Sequence, residues 1–381
     1  MSDFYELVSY NLLMIQGSYF INMKKSLIVV ILYVMTQTAL AKPQHFTMDG
    51  FMVIEDVSNF SGGIQAGSVV NAIIHSIVSY DFLNTYNSQI EVGILGITYT
   101  QNQQSYTGAS QKVSNLSAQR EIRLAELNYF QDINSWADLR LGIMDIREYL
   151  NIYDLPKELI NSGFGTNRVM SNSAVATYPY PGFGAILNLK HANYGLGLAV
   201  FQGDPQHQST LFHHGVFFLE EAYLDLQLQD SLKSKLYLKA GFWQYQQPDP
   251  TIGNSNIGAY LMAQNVWLEN QLREVNTFAQ IGYGPNSLNN IPYSITAGMA
   301  VRGLIPDRTK DFLSFGFSQI WLRQKSPEVV FELGYKLVFL QYCELKPDLQ
   351  YIIKPNGNLP NAFAGILRLA YNINGHILQK H

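Results

Sequence analysis

Apolar and polar residues alternate along most of this chain with a period of two. In Lys235 to Trp243 one face carries Leu236, Leu238, Ala240 and Phe242, and the other Lys235, Tyr237, Lys239 and Trp243. Just before it, Ala222, Leu224, Leu226 and Leu228 oppose Glu221, Tyr223, Asp225 and Gln227. Further on, Leu345, Leu349, Tyr351 and Ile353 oppose Glu344, Lys346, Asp348, Gln350 and Lys354. Near the end, Phe363, Gly365, Leu367, Leu369 and Tyr371 oppose Ala364, Ile366, Arg368 and Asn372. Successive side chains of a strand point to opposite faces, so this spacing predicts strands with one greasy and one wet face.

Sixteen such strands are predicted, at 46–57, 66–82, 88–101, 121–131, 137–147, 182–191, 194–203, 220–229, 234–245, 257–267, 276–285, 292–303, 311–322, 328–341, 344–354 and 361–373. Gly, Pro, Asn, Asp and Ser crowd the gaps, as in "QQPDPTIGNSN" and "YGPNSLNNIP". The stretch from Tyr149 to Pro181 lacks alternation and reads as an inserted loop, with a short helix at Leu155–Asn161. No linker or compositional break divides the strands, which makes one domain the economical reading.

Composition sharpens the picture. Charged residues make up 14 % of the chain, against about 25 % in an ordinary soluble domain. Aromatics reach 13 %, with 24 Tyr and 21 Phe, yet mean hydropathy is −0.03. Apolar residues must therefore be spread thinly, which alternating strands do. The formal net charge of −4 argues against nucleic acid as a partner, since its binders carry a basic face. Cys343 is the sole cysteine, so no intramolecular disulfide or thiolate metal cluster can form; it reads as a buried free thiol.

The start of the chain has a different character. Lys24 and Lys25 precede an apolar run from Leu27 to Met35, and Ala39-Leu40-Ala41 then offers small residues to a signal peptidase. Thr36, Gln37 and Thr38 cut the run short of the roughly 20 apolar residues that a spanning helix needs. Residues 23–41 are thus expected to be a cleaved signal peptide, with 1–22 a mis-called start and 42–381 the mature domain. Removing 1–41 takes away Asp3, Glu6, Lys24 and Lys25, so the balance stays at −4.

An exported chain with this many amphipathic strands has two solutions. A soluble β-sandwich packs its apolar faces together, whereas a membrane β-barrel turns them outward to lipid and keeps charge inside. The strands are long enough to cross a bilayer obliquely, which takes about 9–11 residues. Their even number suits a bacterial barrel, and at sixteen strands the interior is wide enough for an aqueous channel. Trp136, Tyr129, Tyr223, Trp243, Tyr260, Trp267, Trp321, Tyr335 and Tyr351 are candidates for the aromatic girdles. The expected fold is an all-β transmembrane antiparallel barrel of about sixteen strands.

Particular residues then suggest a family. "FELGYKLVFLQYCELKPDLQYIIKPNGNLPNAFAGILRLAYNI" holds a Glu-bearing strand, a Lys-Pro-Asp-Leu-Gln-Tyr-Ile segment, a Pro-and-Gly turn and a closing strand. This resembles the C-terminal region of carbohydrate-selective porins of the OprB-like family, most specifically over Pro347 to Pro355. "FSGGIQAGSVVNAIIHSIVSYDF", "SWADLRLGIMDIREYLN", "YPGFGAILNLKHANYGLGLAVFQGDP" and "LEEAYLDLQL" sit in the family's order. The resemblance implies a sixteen-stranded outer-membrane channel in a Gram-negative envelope, through which saccharides or other small solutes diffuse into the periplasm. General porin behaviour adds a homotrimer set in outer-membrane lipid. The chain departs from the family in running on past Tyr371 or Ile373, leaving 374–381 as a short tail.

The alternation places Arg123, Arg140, Glu221, Tyr223, Asp225, Lys235, Tyr237, Lys239, Trp243, Glu332, Lys336, Glu344, Asp348 and Arg368 on the wet face. Charged groups of both signs can bond sugar hydroxyls, and aromatic faces can pack on the apolar side of a pyranose, provided each contact is weak enough for conduction. The same charges could instead brace the wall as ion pairs, for example Glu221 or Asp225 with Lys235 or Lys239. On the lipid face, a charge at mid-bilayer would cost about 2–4 kcal/mol. No cofactor is expected. Glu220 and Glu221 diverge on a strand and cannot flank one glycosidic bond; His213 and His214 likewise diverge and have no third ligand at metal spacing. Asp145 and Glu148 read as solvated loop residues. Two alternatives to a channel stay open: an adhesive or structural barrel working through loops at 102–120 and 148–181, and an exported glycan-binding β-sandwich.

Overall fold

In the computed structural model, the described residues are 46–82, 87–100, 106–150, 155–206, 211–229, 234–247, 255–270, 272–285, 288–340 and 342–375. Residues 48–374 form one compact unit; 1–47 and 375–381 form a second, of which only Phe46, Thr47 and Gly375 are described. The proposed signal segment and most of the tail therefore lie outside the described residues.

The barrel unit is built by sixteen strands: β1 (Phe46–Ser61), β2 (Gly67–Asp81), β3 (Ser88–Tyr99), β4 (Glu121–Asn134), β5 (Ala137–Met144), β6 (Gly182–His191), β7 (Tyr194–Gln202), β8 (Val216–Gln229), β9 (Ser234–Gln246), β10 (Asn256–Glu269), β11 (Glu274–Tyr283), β12 (Tyr293–Arg302), β13 (Phe312–Trp321), β14 (Glu328–Phe339), β15 (Cys343–Ile353) and β16 (Ala362–Gly375). Each pairs with its chain neighbours, and β1 meets β16 to close the barrel. Closure leaves no unpaired sheet edge, which is what lets strands sit in hydrocarbon.

All sixteen expected segments are strands, with ends shifted by a few residues. The largest shifts are of four residues: β1 runs on to Ser61 where alternation predicts 57, and β8 begins at Val216 where it predicts 220. Its first residues, "VFFLE", are apolar on both faces because Phe217 and Leu219 turn inward onto a dry patch. β16 continues two residues beyond Ile373, so the last strand takes in the beginning of the expected tail. The helix expected at Leu155–Asn161 is instead a 3₁₀ turn at Leu155–Glu158, and the one α-helical turn described nearby, α1, is Arg168–Ser171.

The wall is inside-out. Met52, Ile54, Val70, Ile74, Leu127, Leu141, Phe242, Leu261, Ile281, Phe315, Leu333, Leu349 and Leu367 all lie exposed on the outer face. Aromatics gather near its two rims. Trp136, Tyr129, Tyr194 and Trp267 mark the rim of short turns; Tyr283, Tyr293, Trp321 and Tyr351 mark the rim of long loops. Tyr293 stacks on Tyr283 at 5.1 Å and meets Trp321 edge-on at 6.3 Å. Tyr335 also faces outward, opposite Leu313. Tyr223, Trp243 and Tyr260 are corrections to the expected girdles. Register pairs Tyr223 with Lys239, Trp243 with Gly258 and Tyr260 with Gly241, all on the inner face.

The interior is not the open tube that strand number alone suggests. The described residues between β3 and β4 (106–120) and between β5 and β6 (145–150 and 155–181) fold into the lumen. Phe164 is buried against Phe278, with Leu159 and Ile160 in the same cluster. Wall and insert are shaped for each other: a Cβ at Gly316 would stand 2.6 Å from the Phe164 ring. A second dry cluster joins Ile146, Val169 and Met170 to Phe201, Phe217 and Trp243 of the wall.

Candidate functional site

Register carries all fourteen of the residues assigned to the wet face onto the inner wall. Directly opposed residues of an antiparallel pair share a face. Arg140 stands opposite Phe130, Asp225 opposite Tyr237, Lys336 opposite Phe312, Glu344 opposite Ala370, and Arg368 opposite Lys346. Lys235 pairs with Val266 and Gln227 on the same side. Arg123 reaches that side through a bulge: Gly93 faces Glu126 while Ile94 faces Leu124, so Ala125 is the extra residue and parity switches there.

Facing inward does not mean facing water. Glu221, Trp243, Glu332 and Asp348 are buried at 2 % exposure or less, covered by the inserts and by neighbouring wall residues. Trp243 lies nearly parallel to Phe217, ring centres 6.1 Å apart. Their place in an open channel wall is thus corrected: they lie beneath what the lumen contains, with Glu221 at the edge of a chamber.

The inserts that cover them are held in place by a set of wall carboxylates. Glu332 accepts the backbone N–H groups of Ile160 at 2.5 Å and Asn161 at 2.8 Å. Glu328 accepts those of Gln111 at 2.7 Å, Ser110 at 2.8 Å and Asn356 at 2.6 Å. Glu55 takes the Ser114 hydroxyl at 2.5 Å, Asn71 at 2.8 Å and the Arg368 guanidinium at 2.7 Å. Arg368 also donates to Ser114 and Asn115 of the insert. Lys336 pairs with Glu158 at 2.6 Å, and Lys346 donates to the Glu158 carbonyl. Buried polar groups must find partners, and here the partners are the inserts.

Arginines and tyrosines meet around the same segment. Arg140 pairs with Glu91 at 2.7 Å and lies over Tyr149 and Phe130, 4.4 and 4.8 Å from the ring centres. Arg123 pairs with Glu121 at 3.0 Å and covers Tyr180 at 4.6 Å. Arg147 pairs with Asp145 at 2.7 Å beside Tyr178, whose ring centre is 5.7 Å away. Asp145 is no solvated loop acid: buried, it also accepts the N–H groups of Arg147 at 2.9 Å and Tyr178 at 2.7 Å, fixing the turn that sends the chain into the lumen.

Among the described residues, two larger chambers flank the inserts. On the loop side a cavity of about 330 Å³ lies between the inner wall of β1–β3 and residues 106–119, closed by Pro179 and Tyr180. On the turn side a chamber of about 740 Å³ is lined by Glu148, Glu158, Glu221, Tyr223, Asp225, Tyr237, Lys239, Glu269 and Glu274, with Lys190. There Glu221 takes the Tyr260 hydroxyl at 2.6 Å and the Lys239 ammonium at 3.1 Å, the wall-bracing pair the alternation allows. Gly241 makes room for it, since a Cβ there would lie 2.1 Å from the Tyr260 ring. Glu148 opens onto this chamber. Desolvation by the surrounding wall, and then the charge of Asp145, push its carboxyl above the usual range.

Sequence reasoning missed Glu55, Glu91, Glu328, Tyr149, Tyr178 and Tyr180. Glu55 was visible between Val53 and Val57 on a predicted strand. The insert itself had a signal too: Ile160, Phe164 and Met170 are too apolar for a solvated loop.

A family model described as carbohydrate-selective porin, OprB family, matches residues 91–374. The chain belongs to that family. No curated protein matches it by sequence. Among solved structures, the high-pH form of Pseudomonas putida OprB superposes with a TM-score of 0.77 at 16 % identity, covering 89 % of this chain and 96 % of that one. The low-pH form gives 0.61 at 14 % identity, covering 90 % and 96 %. A variant of the Rh. blastica porin gives 0.56 at 10 % identity, covering 86 % and 100 %. At these identities the likeness shows a shared barrel, and the family model carries the function: a porin for the diffusion of sugars and small solutes across the outer membrane.

Proposed function

We propose that solutes pass from the loop side to the turn side along the polar strip left between the inserts and the wall. The observation that carries this reading is the pair of polar chambers, one on each side of the inserts, within a wall whose outer face is apolar. Of the fourteen inward residues, Arg123, Arg140, Tyr223, Asp225, Lys235, Tyr237, Lys239, Lys336, Glu344 and Arg368 keep some exposure and are assigned to the solute path. Glu221, Trp243, Glu332 and Asp348 support them from beneath. Hydroxyls exchange partners along such a wall, and each contact stays weak because water competes at every step.

The rim of short turns is read as periplasmic, as in other outer-membrane barrels, which sets the long loops outside. Cleavage before Lys42, contact of the outer face with lipid, and assembly as a homotrimer complete the proposal. Lipid contact is supported by the rim aromatics, and the trimer by porin behaviour in general. The test is reconstitution of folded protein in planar bilayers and liposomes. Stepwise conductance partly blocked by added sugar is expected, together with solute-driven swelling; neither signal from folded protein would reject the reading.

One observation favours a different role. Phe164, Leu159, Ile160 and Met170 fill much of the lumen with dry packing, as a structural barrel displaying its loops would require. Folded, heat-modifiable protein that carries no current would decide for that role.

A further inference from the structure

We propose that the loop-side cavity is a capture subsite for one neutral hexopyranose ring, occupied before the solute reaches the inserts. This rests on the porin reading and names a binding site within it. Tyr99, Tyr106 and Tyr180 line the cavity, an aromatic wall of the kind that packs against the C–H face of a pyranose. Arginines stand over two of these rings, Arg123 over Tyr180 at 4.6 Å and Arg120 over Tyr99 at 5.6 Å. Neither phenol hydrogen-bonds to another described residue, so both hydroxyls can serve a solute. Gln119, exposed, and Thr107 add an amide and a hydroxyl at the edge.

Size and charge narrow the ligand. A volume of about 330 Å³ lies at the small end of the range of roughly 300–1,000 Å³ for ligand pockets, which suits one sugar ring rather than a chain. Lys112 is the single charged residue among those lining it. Its ammonium already donates to the Ser117 carbonyl at 3.0 Å, and burial, then the like charge of Arg168, hold it below the usual lysine range. A cation so engaged and disfavoured is a poor anchor for a carboxylate. A ring with hydroxyls and no charge fits best.

The experiment uses the full chain in planar bilayers, with glucose or glucuronate added from the loop side or the turn side. The half-blocking concentration of loop-side glucose should rise about fivefold in Tyr180→Ala or Tyr99→Ala, the order expected for losing one aromatic contact. Tyr180→Phe and the exposed Gln119→Ala should shift it about twofold, as befits one weak hydrogen bond. Salt conductance from each of the four variants shows that it folds and inserts. Unchanged glucose block in both alanine variants would overturn the subsite, as would stronger block by glucuronate than by glucose. A wild-type protein that conducts nothing fails the porin reading itself and is told apart from either result.

Discussion

The two chambers share one tube and one rule of alternation, yet their chemistry differs. The loop-side cavity is lined by three tyrosines and a single engaged lysine. The turn-side chamber gathers Glu148, Glu158, Glu221, Asp225, Glu269 and Glu274 around Lys190 and Lys239. Much of the contrast comes from the inserts, which show Tyr106 and Tyr180 to one side and Glu148 and Glu158 to the other. A barrel wall supplies polar positions at every second residue; what folds into it decides which of them meet solute. One side offers stacking surface and the other a field that draws cations.

The sharpest way to break this contrast is to remove the partition. Phe164→Ala empties a buried site under Gly316 and should cost about 3–5 kcal/mol, seen as a lower temperature for heat-modified gel migration. Conductance should rise as the chambers merge. Glu332→Ala comes next. It leaves two main-chain N–H groups without their acceptor and should cost about 2–3 kcal/mol, again with larger conductance and weaker sugar block. Retention of wild-type conductance in both variants would show that the inserts do not restrict flow.

Smaller changes confined to one chamber sharpen the contrast. Lys239→Ala removes the ammonium paired with the Glu221 carboxylate and makes the turn-side chamber more negative. Reversal potentials in a salt gradient should move toward cations, with permeability ratios changing by up to about twofold, an effect that fades at high salt. Block by glucose from the loop side should not move. The smallest effect is that of pH on Glu148. A carboxyl raised in the folded state favours folding while protonated, so its contribution is present below its unfolded value and is lost as pH rises through its folded one. Stability measured by urea unfolding should therefore fall slightly with pH across that window, cation preference should rise over the same range, and Glu148→Gln should flatten both.

The barrel was legible because lipid and lumen impose opposite demands on adjacent residues. Lys235 to Trp243 could be assigned to faces from spacing alone, and spacing allowed Glu221 or Asp225 to pair with Lys235 or Lys239, of which the structure forms Glu221 with Lys239. The lumen's contents were harder to read. Alternation says that Glu332 points inward but not that Ile160 and Asn161 will cover it, because that contact joins segments 171 or more residues apart. The stretch from Tyr149 to Pro181 has no period, so its apolar residues carried no direction. Trp243 shows the cost: correct in face, it was placed in water and lies in a dry cluster.

The grip of Glu332 and Glu328 on the inserts is made through main-chain N–H groups, which every residue except proline presents alike. Such a grip is indifferent to what the inserted segments display. Side chains facing solute can be exchanged while the fastening holds, so one scaffold could be refitted for a different cargo by rewriting a few positions in a loop.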